Sequence, residues 1–292
     1  MNPFILAEPM NLRRRFIFRG NAAAIGGRIV RPVDLMIESS TASSLTVVGG
    51  RSEARASATR FGEWVSFGSA STSAEGVFDE LEQQVALTYH RVAEDALTTS
   101  TRVTAGMTGL SIGQKPSLTI EHVHAALDSH SPTGSGEPAI AVSSKTVIEG
   151  VAIDGHPVVV ELAVPVFQQC DTRAKLLAAA DDPRFVAESG DCLFMKGSLG
   201  GAPPAPSPRL LHSRGTTYGT IVKSIRWDGN PHPGVTIDHH SIVVPEFGRI
   251  FFGELLITDE SRRLTMVRLE LGSPFGGTLA CVEVESNGTW SN

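Results

Sequence analysis

Aromatic residues are scarce in this chain, at 6% with only three Trp and two Tyr. That is too few for the stacking platforms on which glycans or single-stranded nucleic acid are bound. Basic charge is short as well. The formal net charge is −6, which offers no long-range attraction to phosphate backbones or anionic lipid, so no nucleic-acid partner is expected. The one basic run, Arg13-Arg14-Arg15, reads as a solvated strand entry or as a partner for Glu8. Cysteine is limited to Cys170, Cys192 and Cys281. An odd count at irregular spacing fits neither a disulfide framework nor a zinc knuckle, and points to buried thiols in a reducing compartment. No apolar stretch reaches the roughly 18 residues of a membrane helix. The apolar N-terminal run is interrupted by Glu8 and Pro9 before it attains signal-peptide length. A cytoplasmic protein is expected, the alternative being a secreted one whose signal has been removed. Catalytic signatures are missing too: there is no Gly-x-Ser-x-Gly elbow, no phosphate loop and no His-Glu-x-x-His helix. Ser198, in Gly197-Ser198-Leu199-Gly200, has no base placed beside it by the sequence.

What is present is the patterning of a globular β protein. Hydrophobic residues make up 41% and charged residues 19% of 292 positions, enough for a sizeable core. Between Arg15 and Thr72, Ser, Thr, Val and Ala dominate and the segment Ser52 to Thr59 alternates Ala with Ser, Arg and Glu. Period-two alternation predicts half-buried antiparallel strands, at least three here, joined by turns at Gly26-Gly27 and Gly49-Gly50. Small residues on such strands let two sheets approach closely. Glu75 to Leu97 satisfies both a helical and a strand spacing, and its composition tips the expectation to helix. Asp171 to Ala187 also reads as helix, capped by Asp171 or Thr172 and ended or bent by Pro183.

The segment Gly109 to Leu118 aligns with Gly150 to Val159, sharing Gly, Ile and Pro, and predicts two similar hairpins. Gly200 to Pro208 holds four Pro in a stiff connector or loop. It separates a β-rich region, 1–199, from a C-terminal β-meander, 210–292, with 200–209 as connector; the meander is either a separate unit or part of the same domain. Five strands are expected after it: Tyr218–Trp227, Val235–Val244, Arg249–Thr258, Leu264–Leu271 and Thr278–Glu285. Phe251, Gly253, Leu255 and Ile257 would share one face, as would Val267, Leu269 and Leu271. The fold expected is mainly β, an antiparallel sandwich or flattened barrel with one or two short helices.

Two histidine groups carry the only candidate chemistry. His122 and His124 stand at i and i+2 of an expected strand, leaving one face about 7 Å apart. Asp238 and His240 would share a face of another. Were the two strands neighbours, His122, His124, Asp238 and His240 would form an open metal site suited to a divalent transition metal such as zinc or manganese; otherwise no cofactor is expected. Val235-Thr236-Ile237-Asp238-His239-His240 resembles the DHH phosphoesterase signature in one tripeptide only; that family also needs an upstream acidic metal motif and a large C-terminal substrate domain, whereas 52 residues follow His240, so membership is not expected. Glu283 and Glu285 share a strand face, read as charge guarding an exposed edge.

The small-residue strands around Gly109 and Gly150, with Phe247 to Glu254 and Arg262 to Leu269, resemble uncharacterised β-rich bacterial proteins of the choice-of-anchor type. That resemblance implies β architecture and a surface-associated role, and it transfers no catalytic residue. The expected function is therefore a non-catalytic binding or self-assembling structural β protein, forming a homo-oligomer or engaging a protein partner. A metal-dependent hydrolase with a His-lined site is the alternative.

Overall fold

The computed structural model describes residues 16–39, 41–78, 98–132, 137–179, 182–189, 211–213, 216–258, 260–274 and 276–290. Two antiparallel sheets pack face to face without closing into a barrel. Sheet I runs in the order β14 (Leu211–Ser213), β15 (Thr216–Thr220), β19 (Gly248–Ile257), β20 (Ser261–Leu271), β21 (Gly276–Trp290), β1 (Phe16–Arg31), β2 (Leu35–Ile37). The strand β3 (Ala42–Ser44) adds to β1, and a hairpin of β17 (Thr236–Asp238) and β18 (Ser241–Val244) adds to β19. Sheet II runs β16 (Val222–Trp227), β13 (His156–Leu162), β12 (Val151–Ile153), β9 (Ser117–Pro132), β8 (Thr98–Gly113), β6 (Val65–Phe67), β5 (Thr59–Phe61). Its branches are β10 (Ala139–Val142) and β11 (Val147–Glu149) on β9, and β7 (Ser69–Phe78) on β8 with β4 (Gly50–Ala56) beyond it. Residues from both sides of the 200–209 segment build both sheets, since β21 pairs with β1 and β16 with β13. The segment itself lies outside the described residues.

The core is one continuous apolar layer between the sheets. Where β1 faces β8 the packing is close: a Cβ at Gly20 would sit 2.9 Å from Val103 Cγ2, and Ala24, Ala74, Ala105 and Ala125 are fully buried nearby. Small side chains set this separation, as the composition of these strands implies.

The longest strands, at 16 residues, extend about 50 Å at about 3.3 Å per residue. None keeps one strict inward parity from end to end. In β8, Val103, Ala105 and Met107 face inward, and past Gly109 it is Leu110 and Ile112. Gly109 has φ 61° and Gly150 φ 64°. Register places the two across from Glu121, one on each side of β9. A left-handed residue reverses the alternation, so both halves of a bent strand keep their apolar residues on the core. Sheet I does the same along Ala24, Val282, Met266 and Gly253, with φ 57° at Val282 and 59° at Gly253. The two similar hairpins are present as β8–β9 and β12–β13, and their shared glycines are these bend residues.

Several expectations need correction. Gly26-Gly27 lies inside β1, where Gly27 lets β21 come close: a Cβ there would be 2.2 Å from the Thr278 carbonyl oxygen. Glu75 to Phe78 is strand, and 79–97 lies outside the described residues. The bend at Gly253 puts Ile250, Phe252, Leu255 and Ile257 inward rather than Phe251 with Leu255. The expected strand from Tyr218 is two, β15 in sheet I and β16 in sheet II, broken at Ile221. Helices among the described residues are short: α1 (Val164–Gln169), α2 (Arg173–Ala179) and α3 (Pro183–Ser189). Thr172 Oγ1 accepts from Lys175 N at 3.1 Å, as a cap should. Pro183 opens α3 instead of merely ending its predecessor, with Asp182 Oδ1 accepting from Arg184 N at 2.8 Å.

Candidate functional site

The outward face of sheet I carries a polar cluster around Glu254. Asp238 and His240, expected on one face of a single strand, instead flank His239 in the turn that joins β17 to β18. Asp238 pairs with Ser241, Ser241 Oγ donates to the Asp238 carbonyl at 2.9 Å, and His239 takes φ 52°. His240 is thereby tucked under the turn, with its carbonyl accepting from Phe252 N at 2.9 Å. Its ring lies 5.8 Å from that of Phe251, and Nε2 is 3.9 Å from Glu254 Oε1. Neither ring nitrogen has a hydrogen-bond partner among the described residues, although the residue is only 7% exposed.

Glu254 is the hub. Arg268 Nε and Nη2 donate to its two oxygens at 2.6 and 2.8 Å, while the guanidinium stacks 3.9 Å over the Phe251 ring. Burial pushes the Glu254 carboxyl up, yet the bonds and charge of Arg268, with the nearby His240 acting in the same direction, outweigh it and hold the group below the usual carboxylate range. The same two hydrogen bonds keep Arg268 firmly protonated. One strand further, Thr265 Oγ1 donates to Glu283 Oε2 at 2.8 Å. Glu283 and Glu285 line an open cleft of about 260 Å³ together with Asn21, Ala23, Ala42 and Ser44. β21 lies between β1 and β20, so these glutamates guard no free edge. Glu254 and Arg268 escaped the sequence reading because their pairing depends on the β19–β20 register, which no local pattern encodes.

His122 and His124 stand on the other side of the molecule. Both point outward from β9 in sheet II, with Val123 and Ala125 pointing into the core. His124 Nδ1 donates to the Lys145 carbonyl at 3.0 Å, and His122 Nδ1 lies 3.7 Å from Glu149 Oε2. The four residues His122, His124, Asp238 and His240 therefore do not share a coordination sphere, because the outer faces of a two-layer sandwich point away from one another. Among the described residues no group of three or more His, Cys, Asp or Glu is arranged to hold a metal ion.

A third cluster is structural. Asp154, at φ 48° in the β12–β13 turn, accepts from Ser117 N at 2.7 Å and Ser117 Oγ at 3.2 Å through Oδ1. Its Oδ2 faces His232 Nε2 at 3.2 Å, and His232 Nδ1 donates to the Pro233 carbonyl at 2.8 Å. Serine and histidine bond to the carboxylate and not to each other, so this is a clamp on the β16–β17 crossover rather than a nucleophile with its base.

Cys170 and Cys281 are free and buried. No described helix is long and apolar enough to cross a membrane. Neither a curated protein nor a solved structure matches the chain. A family model described as a domain of unknown function matches residues 16–191, a span that holds all of sheet II except β16, together with β1 to β3 of sheet I. By that match the chain belongs to the DUF8256 family.

Proposed function

We propose that the protein is a non-catalytic structural β protein that associates with further copies of itself through the free end of sheet I. The observation that carries this reading is an apolar corner on the β1–β2 hairpin. Val30, Val33 and Met36 are 46%, 47% and 58% exposed, and β2 is the outermost strand of the sheet path, with its far side unpaired among the described residues. An apolar corner beside an open strand edge is a template for antiparallel pairing. The outer faces support the same reading, because much of their polar chemistry is spent across strands: Ser69 with Thr108 at 2.8 Å, Ser73 with Thr104 at 2.7 Å, Arg102 with Asp128 at 2.6 Å. Such ladders stiffen a scaffold. A hydrolase at a His-lined site would need a ligand set other than the four residues above, since three protein ligands must converge.

Sedimentation velocity across a wide concentration range, in buffer containing chelator, tests the proposal. Reversible association that Met36→Glu abolishes is expected. A monomer at every concentration would overturn it, as would association indifferent to that substitution.

A further inference from the structure

The pair His122 and His124 has the features of a ligand set in its own right once Asp238 and His240 are set aside. Alternate residues of one strand face the same way, about 7 Å apart, which lets two imidazoles converge on one ion at about 2.0–2.2 Å. The His124 ring lies over Gly106, where a Cβ would meet its Cδ2 at 3.0 Å. Its Nδ1 proton is committed to the Lys145 carbonyl, which leaves the Nε2 lone pair as the available donor. His122 Nδ1 lies 3.7 Å from the carboxylate of Glu149 on the neighbouring strand β11, beyond hydrogen-bond range and close enough for the carboxylate to act on the ring through its charge. Neither Nε2 makes a hydrogen bond among the described residues.

We infer that His122 and His124 form a two-histidine chelate for a borderline divalent metal of the zinc, nickel or copper class on the exposed face of sheet II, with Glu149 and the Lys145 carbonyl orienting the rings from behind. Water completes the sphere, since no third His, Cys, Asp or Glu among the described residues joins the pair. The site is separate from the β1–β2 corner and does not depend on self-association.

The test is calorimetric titration of the chelator-treated full chain with zinc, nickel or copper chloride, alongside NMR of the imidazole signals. One equivalent should bind, copper most tightly, perturbing His122 and His124 among the nine histidines. His122 points out of the core and its side chain is 43% exposed, so His122→Asn should fold normally and weaken binding at least about tenfold, and Glu149→Gln should cost about tenfold as the loss of an orienting partner does. His130→Asn, on the same face of β9 with its Nδ1 3.1 Å from Ser100 Oγ, should change nothing. Failure of any of these metals to bind would overturn the assignment. So would binding unaffected by His122→Asn, or weakened as much by His130→Asn.

Discussion

At the scale of single residues, the most consequential groups are charged ones taken out of water. Glu254 titrates in the folded protein below its ordinary value of 4.5. Its stabilisation is therefore complete above that value and is lost as pH falls through the lower folded one, since acid must protonate a carboxylate that Arg268 prefers charged. Urea unfolding at a series of acidic pH values should show this loss in the native sequence and a flatter profile in Glu254→Gln. At neutral pH that substitution should cost about 1.5–3 kcal/mol, the worth of hydrogen bonds to a charged group. Arg262 presents the opposite case. It is 1% exposed, donates to the Cys170 carbonyl at 2.7 Å and leaves Nη1 without a partner among the described residues. Burial pulls its guanidinium down to about 10. A charge so poorly satisfied stabilises little, so Arg262→Met should be within about 1 kcal/mol of the native protein or more stable than it. Arg262→Ala, which also opens a cavity, should cost about 2–5 kcal/mol. Thermal or urea denaturation of the two variants separates satisfaction of the charge from filling of the space.

At the scale of elements, the aligned bends decide whether strands this long can wrap one core. Gly150 has φ 64°, and a Cβ there would lie 2.2 Å from Glu121 Cγ. Gly150→Ala should lower the urea midpoint with an unchanged slope, by at least the roughly 1–2 kcal/mol of a left-handed alanine. The Asp154 clamp belongs to this scale too, because it ties three chain segments at one end of sheet II. Asp154→Ala should accelerate amide exchange at Ser117 and through the crossover 228–235, leaving the β8–β9 ladder protected. Uniformly faster exchange would show instead that the clamp supports the whole fold.

At the scale of the whole molecule, Cys281 reports on global opening. It is completely buried at the middle of β21, and burial pushes its thiol up to about 12. In a Cys170→Ser, Cys192→Ser background, labelling by a thiol reagent should follow the unfolding rate and nothing faster. Labelling in the native baseline would mean that the two sheets separate locally along β21.

Local chemistry alone determined the β class, the small-residue sheet interface, the alternation of β4, the shared face of Val267 and Leu269, and the two Gly-containing hairpins. Each of these follows from side-chain period or turn preference within a few residues, and that information is complete in the chain. The outward placement of His122 and His124 was legible for the same reason. What the tertiary structure decided was every relation across strands. It carried β16 into the second sheet, turned the chain at His239, set Glu254 against Arg268, and placed the two histidine groups on opposite outer faces. Register and sheet membership arise from long-range pairing, and a left-handed bend such as that at Gly253 reverses a parity that period-two reading must assume constant. A sequence read locally therefore names the residues on a strand, while packing chooses which of them meet.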